Sequence, residues 1–483
     1  MKVKYSSILI VCLLVFFISV ASASAAEYDQ TDVTNVTTSG EVIDVQTDEA
    51  CGDAVLGISV EDDSLNDSSI ADDIKIDDIH EGVIGAPLVE DDLLGADMNS
   101  LYDQIKNGGS FTLPENYQAT ASSTYYKYNV DLPISNSLTL IGTDNYNTID
   151  ANGKGRIFHV NSGKVLKCYD VTFTNGNSGK NTKQTVEVGY GGAIYFAGNN
   201  DGSYFEGCSF ISNIADSTSG SSSSSGSGSA VYFGGTQDNI TFKNFYFSSN
   251  NAKYAGVTYF SGHVTNVKFI DCIFENDAGK RMTMWFGGNS ENITFLNCKV
   301  NNNHVNDLTA GIYFGSSSLP YFKNINFTNC EFINNSAKSD TAIRMSNVEN
   351  MIVDNCNFTN NDAYSTASGE VCAGINFLKT AKNVNITNSY FSKNSAQQAT
   401  CIYFSTTSKE VSNINIYNCN FTGNNATLNS ASGIGGAALY FNSYNSVNIT
   451  ESYFANNKAL NSMAGALYSN PSTSGTPTLS ITK

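Results

Sequence analysis

Carboxylate side chains are the first residues to test for chemistry, because glycosidases work with two carboxyl groups held about 5 to 9.5 Å apart. A lyase on a similar scaffold would need a calcium-binding acid cluster beside a basic residue. The densest group in this chain is Asp271, Glu275 and Asp277 beside Lys280 and Arg281. Because this group spans a predicted bend, we expect its side chains to diverge and interpret it as a solvated charged edge.

Acids elsewhere occur singly at equivalent positions of a sequence repeat. One polar position reads Asn244, Asp271, Asn297, Asn329, Asn355, Asn388, Asn418 and Glu451. The position that follows a cysteine in several copies of the repeat reads Ser209, Tyr246, Ile273, Lys299, Glu331, Asn357, Tyr390, Asn420 and Tyr453. Neither position brings two acids together in neighbouring copies, and the chain has only three arginines. A catalytic polysaccharide lyase or glycosidase is therefore the second interpretation rather than the first.

The cysteines and histidines do not have the spacing of a metal site. No Cys-x-x-Cys occurs among the 11 cysteines, and the four histidines lie at unrelated positions, whereas zinc ligands come in closely spaced pairs. Six cysteines share one slot of the repeat: Cys208, Cys272, Cys298, Cys330, Cys356 and Cys419. Other copies place Val171, Phe245, Ser389 or Ser452 in that slot. A position that accepts cysteine, valine, phenylalanine or serine is selected for packing, since free cysteine behaves as a small buried hydrophobe. We therefore predict no metal and no cofactor.

Aromatic residues form the better candidate for a binding surface. A short apolar run returns through the chain with an aromatic residue between two inward positions, as in Ile194-Tyr195-Phe196. The intervening residues are Tyr195, Tyr232, Tyr259, Trp285, Tyr313, Arg344, Asn376, Tyr403 and Tyr440. One interpretation is that these rings stack between coils and stabilise a sheet. The other is that they form a platform for sugars or for a partner protein, because flat amphipathic rings suit both.

These candidates are positioned by an internal repeat. From residue 239 to 454 one phrase recurs, as in Asn324-Ile325-Asn326-Phe327-Thr328-Asn329-Cys330, with copies beginning at 239, 266, 292, 324, 350, 383, 413 and 446. The period of 26 to 33 residues is typical of a solenoid, in which each unit buries its apolar face on its neighbours. Apolar positions are two apart, as in strands. The parity of the pattern flips at a polar dipeptide such as Lys243-Asn244, which predicts two strands meeting at a corner.

With the third apolar run, each unit has three short strands, and stacked units place like residues over like residues. We therefore predict an all-β solenoid whose strands run parallel at about 4.8 Å. Asparagines at a fixed offset from the second strand predict a hydrogen-bonded asparagine ladder at a turn; they are Asn213, Asn250, Asn303, Asn335, Asn361, Asn394, Asn424 and Asn457. Apolar residues at 98, 101, 102 and 105 predict a short helix over Met98–Ile105, which would cap the open first coil.

The segments outside the coil have their own composition. Residues 1–26 contain Lys2 and Lys4, an apolar stretch from Ile8 to Val20 and small residues, which is the layout of a secretory signal peptide too short for a spanning helix. Residues 27–100 hold 21 of the 45 acids and one base. We interpret 27–97 as an acidic disordered spacer, with a calcium-binding or partner-binding tail as the alternative. The β-helix is predicted for 98–470 and a tail for 471–483.

The repeat also resembles a known family. The phrases Thr148-Ile149-Asp150-Ala151-Asn152-Gly153, Gly191-Gly192-Ala193-Ile194-Tyr195-Phe196 and the repeated Asn-Cys-x-Phe resemble the secreted, adhesin-like β-helix proteins of archaeal cell surfaces. They are also similar to outer-membrane adhesins with Gly-Gly-Ala-Ile repeats. The resemblance covers residues 98–468 and implies a right-handed parallel β-helix of the pectin-lyase-like kind. That fold hosts adhesins as well as polysaccharide lyases and glycosidases, so the resemblance is specific for fold.

These observations favour a secreted or cell-surface, adhesin-like protein that is not catalytic. Its expected partner is an extracellular glycan or a cell-surface protein, and no transmembrane helix is expected once the signal peptide is removed. A purely structural stalk is a third interpretation. Asn-x-Ser/Thr sequons such as those at Asn239, Asn292 and Asn448 fit an exported surface. The repeat region is close to neutral and lacks the basic patch that nucleic-acid binding needs.

Overall fold

A computed structural model gives the fold from residue 96 onward. The residues it describes are 96–120, 129–143, 147–180, 188–216, 226–316, 320–364, 371–397, 399–404, 411–427, 436, 438–460, 464–471 and 476–483. The predicted signal peptide 1–26 and residues 27–95 of the predicted acidic spacer lie outside the described residues. The last two residues of that spacer, Ala96–Asp97, form a strand that pairs with Tyr117–Gln118.

The strands stack in parallel sheets that follow one another around each coil. Sheet 1 contains Gly109–Thr112, Leu138–Ile141, Leu166–Tyr169, Tyr204–Glu206, Thr241–Lys243, Val264–Ile270, Ser290–Leu296, Tyr321–Thr328, Asn347–Asp354, Ala381–Thr387, Val411–Tyr417, Ser446–Thr450 and Thr478–Thr482, with Gln237–Asp238 beside it. Sheet 2 contains Ala96–Asp97, Tyr117–Gln118, Asn147–Asp150, Val171–Thr174, Ser209–Ile211, Tyr246–Ser248, Ile273–Glu275, Lys299–Asn301, Glu331–Ile333, Asn357–Thr359, Tyr390–Ser392, Asn420–Thr422 and Tyr453–Ala455.

Sheet 3 closes each coil. It contains Leu132–Ile134, Phe158–Val160, Ile194–Phe196, Val231–Phe233, Thr258–Phe260, Met282–Phe286, Thr309–Phe314, Ile343–Met345, Ile375–Phe377, Ile402–Phe404, Leu439–Asn442 and Leu467–Asn470. Between sheets 2 and 3 lies a corner sheet of two-residue strands: Ile214–Ala215, Asn251–Ala252, Ala278–Gly279, His304–Val305, Ser336–Ala337, Asp362–Ala363, Ser395–Ala396, Asn425–Ala426 and Lys458–Ala459. The protein is thus a right-handed parallel β-helix, as predicted.

The corner sheet was not part of the predicted three-strand coil. Its strands are too short to show an alternating pattern, and the small residue at the second position, such as Ala252 or Ala396, is fully buried. Another difference lies at the end of the chain. Thr478–Thr482, which the sequence assigns to a tail, pairs with Ser446–Thr450 and extends sheet 1 by one strand.

The lumen is filled by columns of identical side chains, which is the predicted packing. Phe233 and Phe260 stack with ring centroids 4.5 Å apart, and Phe247 and Phe274 stack at 4.4 Å. These rings are fully or almost fully buried, and each buried phenylalanine contributes about 1.5–3 kcal/mol to the free energy of unfolding. The register that brings like residues into contact is therefore strongly favoured over a slipped one.

The cysteine slot lies in the same lumen. All nine cysteines in the described part of the chain are free and buried. Each thiol of the slot donates to backbone carbonyls, as Cys330 Sγ does to Thr328 O at 3.3 Å and Phe295 O at 3.5 Å. Burial raises the pKa of Cys208 to about 12 and that of Cys419 to about 11. The packing role predicted for the slot fits this environment.

The predicted helix is confirmed with its boundaries. Met98–Ile105 buries Met98, Leu101 and Ile105, and Asp97 caps its first turn by accepting a hydrogen bond from Ser100 N at 2.8 Å. The buried side chains join the hydrophobic core of the first coils. This helix therefore covers the lumen at its N-terminal end. Within the described residues, no helix has the length and hydrophobicity needed to cross a membrane.

The asparagine ladder is also confirmed, and it is buried. Asn335 Nδ2 donates to Asn361 Oδ1 at 3.0 Å, and Asn361 Nδ2 donates to Asn394 Oδ1 at 3.1 Å. The left-handed backbone, however, belongs to the residue before each of these, as at Asn334 and Asn360 with φ of 57° and 55°. Two further columns of left-handed asparagines mark the sheet 1 bend and the corner between sheets 1 and 2, because asparagine tolerates positive φ better than most residues.

Asp277 occupies one position of the buried ladder, between Asn250 and Asn303. Its Oδ1 accepts from the backbone N–H of Asn250 at 2.8 Å and from its side-chain amide at 3.1 Å. Its Oδ2 is buried and has no hydrogen-bond partner within the described structure. In the other copies this position carries a nitrogen that donates to a backbone carbonyl, as Asn303 Nδ2 does to Phe274 O at 3.0 Å. Only a protonated carboxyl group can donate there, and burial raises the pKa of Asp277 to about 7.

The ladder predicts that Asp277→Asn stabilises the protein at alkaline pH. Because the folded-state pKa is raised, the contribution of Asp277 to stability is complete below its unfolded pKa of about 4 and is lost as the pH rises through about 7. At pH 8 we expect Asp277→Asn to raise the unfolding midpoint by on the order of 2 °C. Thermal unfolding from pH 5 to pH 8 measures this, with Asp271→Asn at an exposed corner as the control. An equal pH dependence in wild type and Asp277→Asn would contradict the prediction.

Candidate functional site

The nine aromatic and polar residues predicted as a binding column do lie in one column of sheet 3. Consecutive strands pair in register so that Tyr195 faces Tyr232, Trp285 faces Tyr313, and Arg344 faces Asn376. The column continues through Tyr403 and Tyr440. All of these side chains point away from the lumen, which holds the residues before and after them in sequence, such as Ile194 and Phe196.

Neighbouring rings of this column are in contact. Tyr259 and Trp285 stack 4.3 Å apart with an interplanar angle of 10°, and Tyr195 and Tyr232 stack 5.4 Å apart at 17°. Tyr232 meets Tyr259 edge to face, and beyond the two polar residues Tyr403 and Tyr440 lie 4.6 Å apart with their planes tilted by 51°. These contacts are those expected of cross-strand aromatic pairs that stabilise a sheet.

Much of the column is covered from outside. The segments that lead into sheet 3 form single β-bridges with one another, from Asp340 to Cys372 and from Cys372 to Ala399. Cys372 and Ala399 pack against Tyr403 and Tyr440, which are 5 % and 6 % exposed. Tyr195 and Asn376 are buried as well, whereas Tyr232, Tyr259, Trp285 and Tyr313 are partly exposed. A ligand could reach only the middle of the predicted platform.

The polar interruption at Arg344 and Asn376 has a local cause. Both side chains donate to the buried carboxylate of Asp340, Arg344 to Oδ2 and Asn376 Nδ2 to Oδ1 at 2.9 Å. The backbone N–H of Cys372 donates to the same Oδ1 at 3.0 Å. Burial raises the pKa of Asp340, while Arg344 and these hydrogen bonds act in the opposite direction. The two polar residues therefore compensate a buried acid of the covering segment.

The three arginines of the chain all lie on this side of the molecule. Arg156 lies 4.9 Å from the Tyr195 ring centroid, Arg281 lies 4.4 Å from Tyr254, and Arg344 lies 5.6 Å from Tyr313. Each is also close to an aspartate, as Arg281 Nε is to Asp307 Oδ2 at 3.6 Å. Cation–π contacts of this kind stabilise the packing of each arginine against a neighbouring aromatic ring.

The carboxylates of Asp271, Glu275 and Asp277 diverge, as the sequence predicted. Of the group around residue 275, Asp277 lies in the buried ladder, Glu275 accepts from Tyr246 Oη at 2.6 Å, and Asp271 accepts from Asn297 at a corner. Along the paired strands that the structure describes, no column places two carboxylates in adjacent positions. Among the described residues no group of three or more His, Cys, Asp or Glu side chains could hold a metal ion.

A second aromatic group is far more accessible. Tyr390 and Tyr453, 56 % and 61 % exposed, occupy one outward column of sheet 2 with Asn420 between them. Tyr417, 39 % exposed, ends the sheet 1 strand of the coil that contains Asn420. We call Tyr390, Tyr417 and Tyr453 the tyrosine patch. Because adjacent strands lie about 4.8 Å apart, the backbones of Tyr390 and Tyr453 are about 10 Å apart.

Amide side chains surround the tyrosine patch. Asn385, Asn415 and Asn448 form one outward column of sheet 1 beside Tyr417, and Asn448 Nδ2 donates to Asn415 Oδ1 at 3.1 Å. The Oδ1 of Asn420 is buried and has no hydrogen-bond partner in the described part of the chain. The patch thus combines exposed rings with groups that donate and accept hydrogen bonds.

The sequence pattern does not distinguish this patch from the rest of the surface. Tyr390 and Tyr453 lie in the outward position after the cysteine slot, where no repeated acid indicates a site. The same position carries Tyr246, which is only partly exposed and donates to Glu275. What the sequence did not reveal is exposure. Nothing in the pattern tells that segments cover sheet 3 and leave this end of sheet 2 open.

The chain is similar to several solved structures. No protein-family model and no curated protein matches the chain. Among solved structures, the chain is similar to the A-module of mannuronan C-5 epimerase AlgE6 from Azotobacter vinelandii, with 11 % identity, 78 % of this chain and 96 % of that chain covered, and a TM-score of 0.39. It is also similar to PfbA, a surface adhesin of Streptococcus pneumoniae, with 12 % identity, 76 % and 90 % covered, and a TM-score of 0.32.

A third similar structure is the catalytic unit of a GH87 α-1,3-glucanase from Streptomyces thermodiastaticus, with 12 % identity, 80 % of this chain and 65 % of that chain covered, and a TM-score of 0.35. These neighbours are pectin-lyase-like β-helix proteins that include an adhesin and enzymes. At such identities they do not determine function, and the archaeal origin that the sequence resemblance implies stays a prediction.

The buried acid behind the aromatic column predicts that Arg344→Met is strongly destabilising. It leaves the Asp340 carboxylate without its charge partner, which costs about 3–5 kcal/mol in the free energy of unfolding. The control Arg281→Met removes a partly exposed arginine and costs about 0–1 kcal/mol. Chemical denaturation measures both. We expect the double variant Arg344→Met/Asp340→Asn to recover more than half of the loss, and an equal effect of Arg344→Met and Arg281→Met would contradict the role given to Asp340.

Proposed function

We propose that the protein is a non-catalytic, adhesin-like β-helix protein that binds glycans at the tyrosine patch on the cell surface or after secretion. The observation that carries this proposal is the exposure of Tyr390 and Tyr453 in one column of a flat parallel sheet. Exposed tyrosines present an apolar ring face and a polar hydroxyl, which suits the alternating apolar and hydroxylated faces of a sugar ring.

The lack of an alternative structural task for these rings supports binding. The column of sheet 3 is stacked and largely covered, so its tyrosines contribute to packing. Tyr390 and Tyr453 are instead separated by Asn420 and leave more than half of their surface in water. Large aromatic groups that remain exposed in a cluster are typical of interaction surfaces.

The placement of the acids supports a non-catalytic role. A glycosidase pair or a lyase cluster needs carboxylates that converge, and around the patch Glu451 is the acid that accompanies Tyr417. Elsewhere on sheets 1 and 2 the acids are engaged by neighbours, as Glu206 is by Tyr204 and Lys243. The partly exposed residues of the predicted column, Tyr259, Trp285 and Tyr313, remain a second predicted contact surface for a partner.

The proposed function predicts that the double variant Tyr390→Ser/Tyr453→Ser loses glycan binding while its unfolding midpoint changes little. Loss of two aromatic contacts lowers affinity by roughly tenfold or more. The measurement is a glycan array with purified protein, followed by titration of each glycan bound. Tyr321→Ser is the matched control, because Tyr321 is 57 % exposed on sheet 1 and lies outside the patch.

The same experiment separates the alternatives. If no extracellular glycan binds wild type, the proposal fails and a structural stalk is the better interpretation. Products released from a polysaccharide by wild-type protein would instead identify an enzyme. Equal binding by wild type and the double variant would place the site elsewhere, with Trp285→Ser as the next variant.

A further inference from the structure

A polar depression adjoins the tyrosine patch at the corner between sheet 2 and the corner sheet. It is lined by Asn334, Ser336, Asn360, Asp362, Lys393 and Ser395. Asn360 Nδ2 donates to Asn334 Oδ1 at 2.7 Å, which is one step of an exposed ladder that ends where Lys393 replaces asparagine. The lining is therefore made mostly of amide and hydroxyl groups, which donate and accept hydrogen bonds as sugar hydroxyls do.

The depression is continuous with the patch. Tyr390 and Ser392 are outward residues of one strand, and Lys393 follows them directly at the edge of the depression. Ser392 Oγ lies 2.9 Å from Thr359 Oγ1 in the preceding coil. A path therefore leads from Tyr453 past Asn420 to Tyr390, and from there over Ser392 into the depression. At about 4.8 Å for each coil, it covers about 20 Å along the helix axis from Tyr453 to Asn334.

The charges along this path are few and of both signs. Asp362 and Lys393 face the depression, and Glu451 accepts a hydrogen bond from the Tyr417 hydroxyl, which raises the pKa of Tyr417. The three arginines lie on the opposite, sheet 3 side of the coil. Recognition of a polyanion depends on several cationic side chains, arginine above all. The cationic side chains that the structure describes around this path are lysines such as Lys393 and Lys458, and the acids Asp362 and Glu451 lie on the same surface, so it suits an uncharged ligand.

We propose that the ligand of the tyrosine patch is an extended, uncharged polysaccharide that runs along the helix axis from Tyr453 to Tyr390 and then crosses obliquely over Ser392 into the depression at Asn360 and Ser395. This inference rests on the proposed function and adds the ligand class, its direction and its length. Tyr453 and Tyr390 contact two sugar rings that are not adjacent in the polysaccharide, because Asn420 lies between the two tyrosines on sheet 2.

The experiment is a length series. Neutral oligosaccharides of one linkage, taken from the polysaccharide that binds best, are titrated into wild type, Tyr453→Ala, Ser395→Phe and the control Tyr321→Ala. Tyr453→Ala removes one end of the path, and Ser395→Phe fills the other. We expect affinity for wild type to increase roughly tenfold once the oligosaccharide spans both tyrosines. This increase should vanish in Tyr453→Ala, and the further gain of longer oligosaccharides should vanish in Ser395→Phe, with short oligosaccharides unaffected by Ser395→Phe.

The outcomes distinguish this inference from the proposed function. Binding to glycans without dependence on length, or equal length dependence in Ser395→Phe and wild type, would overturn the extended site while the proposed function stands. Preference for a polyuronate over a neutral polymer of the same length would overturn the ligand class. Absence of binding to any glycan would overturn both. Thermal unfolding of each variant confirms that it is folded before titration.

Discussion

The structure depends on one constraint, the stacking of equivalent residues in successive coils at the spacing of a parallel sheet. Backbone hydrogen bonds set that spacing at about 4.8 Å, and chemically similar side chains at equivalent positions of neighbouring coils therefore contact one another. Phenylalanine meets phenylalanine in the lumen, as Phe332 meets Phe358 with ring centroids 4.9 Å apart, and asparagine meets asparagine at the turns. One chemical solution, repeated, therefore serves every coil. The same stacking explains why the charge of a buried acid such as Asp277 or Asp340 needs compensation, since the equivalent positions in other coils hold amides or aromatic rings.

Fold and register could be predicted from the sequence because the constraint repeats in the sequence. Ile194, Phe196 and their equivalents return at fixed distances from asparagine, so the inward positions and the ladder were identified correctly. The helix Met98–Ile105 was predictable from its apolar spacing. The corner sheet was not, because two residues such as Asn251–Ala252 carry no period. The strand Thr478–Thr482 was not, because it lacks the asparagine and cysteine positions that mark the other copies of the repeat.

The candidate site shows the limit of the same reasoning. Alternation in sheet 3 correctly placed Tyr313 and Tyr403 outside the lumen. Outside the lumen is not the same as in contact with water, and the segments around Cys372 and Ala399 bury Tyr403. Burial of this kind comes from segments that differ from coil to coil, so the repeat pattern does not predict it. The exposed Tyr390 and Tyr453 were visible as residues, and only the structure distinguishes them from Tyr246, which is tied to Glu275.

The corners of the coil differ in how much variation they accept. From Val264 to Thr450, each sheet 1 strand is followed by two residues and then a sheet 2 strand, as in Ile270 and Ile273 or Thr450 and Tyr453, whereas the segments before and after sheet 3 vary in length. Insertions and deletions are thus confined to the two connections of sheet 3. On sheets 1 and 2 the outward positions keep a constant spacing, so a point mutation changes one side chain without moving its neighbours. A lineage carrying this scaffold can exchange its surface chemistry, tyrosine for asparagine or lysine for glutamate, while the distances that a long polymer would measure stay constant.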